Sequence, residues 1–211
     1  MARKPPVYGL DIETDTTVDG LDPGVAAIVT VALSGDEIDQ VFTGDEVSIL
    51  SELDHCLREI RPGVLATWNG SAFDLPFIDD RAQRYDLPHG LSLRLDTSIS
   101  QRHPPLPGHD GVYRAKWYGH RHLDAYRVYC SDVGPSLRMS CSLKSIARLV
   151  GLRTVEVDRE RIHDLSHEAL HAYAASDARL ARILTERRWS TASRHIDDFD
   201  RVDDADLASA G

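Results

Sequence analysis

A chain of 211 residues, 42% hydrophobic and 27% charged, carries enough apolar material for one sizeable core and shows no composition shift that would argue for two domains. It has no apolar run of membrane-spanning length and no signal-peptide core after its Met-Ala-Arg-Lys start. Its three cysteines, Cys56, Cys130 and Cys141, lack metal-finger spacing, so the expectation is buried free thiols in a reducing cytoplasm, away from membranes. The formal charge of −10 argues against a nucleic-acid partner only until its distribution is read: His195 to Gly211 holds six aspartates and one arginine, half of the total. That stretch reads as an acidic, disordered tail, 195–211, behind a single domain over 1–194.

The first element is a strand, Pro6 to Thr14, with Tyr8, Leu10 and Ile12 alternating against Val7, Gly9, Asp11 and Glu13. Alternation places Asp11 and Glu13 on one face, one pleat apart. Two acids so placed repel, and a divalent cation between them removes that cost and makes a hard oxygen-ligand site. A turn cap at Asp11 with Glu13 already in the loop fits the same letters.

After a Thr, Asp and Gly loop (15–24), Val25 to Leu33 and Ile38 to Thr43 read as strands, joined by turn residues into an antiparallel meander. Asp45 to Ile60 is helical, with Ile49, Leu50, Leu53, Leu57 and Ile60 on one face, and Val64 to Trp68 is a short buried strand. Asn69 to Asp74 leads from that strand into a helix over Asp74 to Tyr85, at a strand end of the kind where α/β sheets bind ligands. Asp74 in the first turn suits the helix dipole. Phe73 beside it fits either core packing or stacking on a base.

Leu91 to Gly119, with Pro104, Pro105 and Pro107, reads as a long irregular excursion. Its histidines and those just after it (103, 109, 120, 122) have no metal-site spacing, and Arg114, Lys116 and Arg121 offer a basic rim for phosphates or simply solvated charge. A strand over His122 to Tyr126 follows, then a helix from Ser140, as cap, to Val150, with Lys144 off its apolar face, read as solvent-exposed or else reaching a phosphate. The last helix, Ser166 to Trp189, carries Asp177 in its apolar stripe one turn after Tyr173. An aspartate there is costly unless paired with an arginine or bound to metal.

Together Asp11-Ile-Glu13, Asn69-Gly-Ser-Ala-Phe73-Asp74 and Tyr173-Ala-Ala-Ser-Asp177 resemble the three motifs of the DEDD 3'-5' exonucleases. Tyrosine four before the last aspartate resembles the DEDDy branch. The histidine branch would need histidine at Ala172, and His171 is one position off. The intervening Phe73-Asp-Leu-Pro76, Gly119 to Asp124 and Ser142 to Ala147 look most like the exonuclease domain of family B DNA polymerases, so the chain reads as a free-standing relative of that domain. The resemblance implies an α/β, ribonuclease H-like fold with a mixed five-stranded sheet and flanking helices. It implies that Asp11, Glu13, Asp74 and Asp177 hold two Mg²⁺ or Mn²⁺ ions for hydrolysis and that Tyr173 orients the attacking water. Asn69 and Phe73 would position the terminal nucleotide, while His122 and Asp124 resemble the family's penultimate strand but not its metal carboxylates, which leaves Asp124 a supporting or structural residue. The implied substrate is a single-stranded DNA 3' end, in repair or proofreading, releasing nucleoside 5'-monophosphates. The same chemistry on RNA, or a binding domain of this fold without turnover, stands beside it.

Overall fold

The computed structural model describes residues 4–99, 104–132, 136 and 140–200. A seven-stranded mixed sheet forms the centre, in the order β3-β2-β1-β4-β7-β6-β5. Its first three strands, β1 (Val7–Thr14), β2 (Ile28–Ser34) and β3 (Asp39–Thr43), make the expected antiparallel meander. β4 (Val64–Thr67) then pairs in parallel with β1, and β7 (His120–Asp124) in parallel with β4.

Two strands exceed the expected five. β5 (Leu91–Leu95) and β6 (Tyr113–Trp117) pair antiparallel inside the stretch expected to be irregular. Leu91 pairs with Trp117 and Leu93 with Ala115, so the ladder has an apolar face, while the prolines are confined to the connection. β2 begins later than expected because the Val25 and Ala26 N–H groups close a turn on the Asp22 carbonyl. β7 ends at Asp124, not Tyr126. The Asp124 carboxylate accepts from the Tyr126 N–H (3.0 Å), and the chain turns there into α3 (Ala125–Asp132).

One layer on the sheet is α1 (Glu46–Glu59) and α2 (Asp74–Arg84). Tyr8, Leu10 and Ile12 of β1 pack there with Ile49, Leu53, Leu57, Phe77 and Ile78. α4 (Leu143–Leu149) starts from Ser142, whose side chain accepts from Ser145 N–H, rather than from the expected Ser140. The long helix α5 (His167–Arg187) lies across the opposite face of β1, and α6 (Trp189–Ala192) follows as a separate turn. Among the described residues no helix is long and apolar enough to cross a membrane. The three cysteines remain thiols and are half-buried rather than buried.

The expected tail does not begin at 195. Ile196 packs on the Val64, Leu123 and Val128 cluster, and Asp197 is buried with hydrogen bonds to β6 and β7. Residues 201–211 lie outside the described residues.

Small residues set how close α5 comes to β1. Ala174 and Ala178 are buried against Ala32, and a Cβ on Gly9 would stand 1.8 Å from the Ala178 carbonyl oxygen. That backbone-on-backbone approach cannot be relieved by a side-chain movement. Gly9→Ala is therefore expected to lower stability by about 3 kcal/mol, read as a reduced urea midpoint in equilibrium unfolding.

Candidate active site

The glycine face of β1 carries the acids. Gly9, Asp11 and Glu13 share the side that faces α5, while Ile12 between them is committed to the α1/α2 core. α5 brings Tyr173 and Asp177 to the same place, and both are buried. One ligand oxygen from each of Asp11, Glu13 and Asp177 lies within 4.8 Å of the others, a separation that a single cation can span. Among the described residues this is the only grouping of its kind.

Asp74 stands beside this triangle rather than in it. It occupies the first turn of α2, as expected, but its Oδ1 accepts from the Ile12 N–H at 3.3 Å. The helix and the strand are thus tied together behind the acids.

The electrostatics follow from burial plus like charge. Desolvation, then Glu13 and Asp177, pushes the Asp11 carboxyl well above its usual range. Burial raises Glu13 to about 8, reinforced by Asp177, and burial raises Asp74 to about 7. Asp177 is also raised by burial, with Lys144 and Arg159 pulling it back. The Tyr173 phenol is driven far up by burial and by Glu13 and Asp177, so it remains a hydrogen-bond donor at any working pH. The Asp11 Oδ2 is buried with no hydrogen-bond partner. An orphaned carboxylate oxygen among mutually repelling acids fits a divalent cation, since a cation supplies both the missing partner and the missing charge.

Two cations of the chain itself reach this cluster. Lys144 of α4, read from the sequence as solvent-exposed, instead pairs with Asp177, and its ammonium lies 4.5 Å from the centroid of the Tyr173 ring. Arg159 opens a 3-10 turn (Arg159–Asp164) and its charge faces Glu13, Asp11 and Asp177. Nothing around Arg159 in the sequence marked it. Lys144 was marked only by lying off the apolar face of its helix.

These groups line a cleft of about 670 Å³, which also includes Leu21, Trp68, Asn69, Phe73 and Tyr126. Asn69 adopts φ 71°, a left-handed conformation that asparagine tolerates. Asp124 holds this turn from behind: it accepts from Asn69 N–H at 2.9 Å and from the Ser71 hydroxyl at 2.5 Å, in keeping with the expected supporting role. Core packing is what the structure shows for Phe73. It packs on Phe77 with ring centroids 5.4 Å apart, and its remaining face lines the cleft. A second cavity, about 720 Å³, adjoins across Leu21, Asn69, Phe73 and Tyr126 and is walled by Pro104 to Pro107. The proline stretch thus borders the site.

Other candidates disperse. Arg114 pairs with buried Asp96, Arg121 donates to the Asp197 carbonyl, and Lys116 lies over Phe199, so none of the three lines the cleft. His109 bonds Asp80 and Tyr113, His120 bonds the Leu57 carbonyl, and His122 bonds Thr67 and Asp197. His103 lies outside the described residues.

The model of the DNA polymerase family B exonuclease domain matches residues 9–146, a span that includes the β1 acids and Asp74 and stops before α5. The DNA polymerase epsilon catalytic subunits of Kluyveromyces lactis and Saccharomyces cerevisiae are 28% and 29% identical over 138 residues, which is 64% of this chain and 6% of each subunit. A DNA polymerase of Archaeoglobus fulgidus is 28% identical over 68 residues, 32% of this chain and 9% of that protein. Among solved structures, the family B DNA polymerase of Pyrobaculum calidifontis superposes with a TM-score of 0.70 at 19% identity, covering 89% of this chain and 25% of that one. The overlay supports the ribonuclease H-like fold.

Raised carboxyl pKa values have a definite consequence. Between the ordinary 4.5 of an unfolded glutamate and about 8, folded Glu13 holds a proton that the unfolded chain has lost. Stability of the metal-free protein therefore falls as pH rises through that window, and the same holds for Asp74 between 3.8 and about 7. Thermal scans in EDTA are expected to show Tm decreasing from pH 5 to pH 8, with Mn²⁺ restoring more at pH 8 than at pH 5. Asp11→Asn removes one repelling charge. It is expected to raise the metal-free Tm at pH 8 while abolishing the Mn²⁺-induced rise, both measured in the same scans.

Proposed function

Because the chain belongs to the family of DNA polymerase family B exonuclease domains, we propose that it is a 3'-5' exonuclease that trims single-stranded DNA ends by two-metal-ion hydrolysis. The observation that carries this reading is the convergence of Asp11, Glu13 and Asp177, three carboxylates from a strand and a distant helix, on the floor of a cleft of nucleotide size. Mg²⁺ or Mn²⁺ held by these residues, with Asp74 beside them, would supply an acidified water and a counter-charge for the departing 3'-oxygen.

The side chains then divide the work. Water attacks the terminal phosphodiester, the bond from phosphorus to the 3'-oxygen breaks, and the products are a nucleoside 5'-monophosphate and a strand with a new 3'-hydroxyl. Tyr173, a permanent donor, hydrogen-bonds and orients the attacking water. It does not act as the base. Lys144 pairs with the Asp177 carboxylate until metal replaces it there, and Arg159 sets positive charge where the phosphate would lie. Asn69 and the open face of Phe73 hold the terminal nucleotide, the ring by stacking on its base. The chain spans 6% of the polymerase epsilon subunits it matches, so this proposal concerns the exonuclease alone.

The test uses 3'- and 5'-labelled single-stranded DNA and RNA of matched sequence with Mg²⁺ or Mn²⁺. Stepwise shortening from the 3' end is expected, faster on DNA, and absent with EDTA or in Asp11→Ala. Tyr173→Phe is expected to lower kcat on the order of 100-fold with little change in KM. Faster RNA decay would reassign the substrate. Binding without any degradation would make the chain a non-catalytic relative.

A further inference from the structure

β6 and β7 pair only at Lys116 with Arg121 and Trp117 with His120, and beyond those pairs the strands part. Asp197, from the segment after α6, fills the opening. Its N–H donates to the His122 carbonyl (2.8 Å), and its Oδ2 accepts from the Ala115 N–H (3.1 Å). The same Oδ2 lies 2.7 Å from His122 Nδ1. A carboxylate only accepts, so Nδ1 carries the hydrogen. The other ring nitrogen, Nε2, lies 2.9 Å from Thr67 Oγ1, and that hydroxyl oxygen accepts from the Gly70 N–H at 3.1 Å.

The chain of bonds ends where substrate is to be held. Thr67, His122 and Asp197 are all buried, so no water competes for these partners, and loss of one leaves its neighbours unsatisfied. Asp124 tethers Asn69 and Ser71 but not Gly70 between them. A Cβ at Gly70 would stand 2.3 Å from Thr67 Oγ1, so the turn rests directly on that hydroxyl. Asp197 also lies beyond the span matched by the family model, which ends at 146.

We propose that Asp197 is a positioning residue that, through His122 and Thr67, fixes the Gly70 turn and thereby the Asn69 and Phe73 side chains that would hold the terminal nucleotide. The part that concerns the nucleotide rests on the exonuclease reading above, whereas the part that concerns the turn does not.

The test pairs amide hydrogen exchange at Gly70, which needs no turnover, with steady-state kinetics on single-stranded DNA. Asp197→Ala is expected to speed Gly70 exchange on the order of tenfold, with a similar rise in KM and little change in kcat. Asp197→Asn, which keeps an acceptor, stays near wild type, as does Asp198→Ala at the exposed neighbour. Thr67→Val gives the Asp197→Ala effect, and the double variant is no worse than Thr67→Val alone, because the relay is already cut. Should Asp197→Ala not fold, Asp197→Ser, too short to reach His122, takes its place. Unchanged Gly70 exchange in the folded variant, or additive effects in the double variant, overturns the proposal. A wild-type protein that degrades no DNA but whose Gly70 amide responds to Asp197→Ala supports the relay and refutes the exonuclease reading instead.

Discussion

Like-charge repulsion among buried carboxylates is the constraint to which the rest of the molecule answers. Asp11, Glu13 and Asp177 are held within 4.8 Å of one another, where each ionised pair costs roughly 3–4 kcal/mol at an effective dielectric near ~20. The protein forces them together by packing. Gly9 and the small side chains of Ala174 and Ala178 let α5 settle on β1, and the opposite face of β1 is locked into the α1/α2 core. Lys144 and Arg159 offset part of the repulsion, and raised proton affinity absorbs more. A site in this condition is strained toward any group that brings positive charge, and divalent metal is the group that its oxygen donors select.

The substrate side of the cleft depends on a second, quieter arrangement. The turn from Asn69 to Ser71 makes no regular backbone ladder, so its amides need partners from elsewhere. Asp124 supplies two of them, and the Thr67 hydroxyl supplies the third. Both supports stand at the C-terminal ends of parallel strands, β4 and β7, where an α/β sheet leaves room for a ligand. Strand ends therefore set Asn69 and Phe73 against the carboxylate cluster rather than leaving them to a loop alone. Asp197, bonded to both β6 and β7, links the Thr67 side of that support to the strand beyond.

How much of this could be read in the sequence depended on whether a pattern was local. Asp11 and Glu13 were legible because period-2 alternation fixes their face, and Asp177 because an acid in an apolar helical stripe is conspicuous. Phe73 kept two readings, and the structure shows its packing on Phe77 with the ring also at the cleft. What failed was long-range or ambiguous. The prolines at 104–107 obscured the β5–β6 hairpin around them. The strand expected over His122 to Tyr126 runs two residues into α3, where the Asp124 cap starts a helix instead. Lys144 to Asp177 spans 33 residues and Asp197 to His122 spans 75, and no spacing rule reports such pairs. A run of aspartates looked like a solvated tail, yet one of them is buried in the sheet.

The most direct test of the central claim is an anomalous difference map from crystals soaked in Mn²⁺. The account predicts an ordered Mn²⁺ bounded by Asp11, Glu13 and Asp177, with Lys144 shifted off the Asp177 carboxylate. A map with no ion at these residues and Lys144 still paired with Asp177, at Mn²⁺ concentrations that saturate related metal sites, would contradict it.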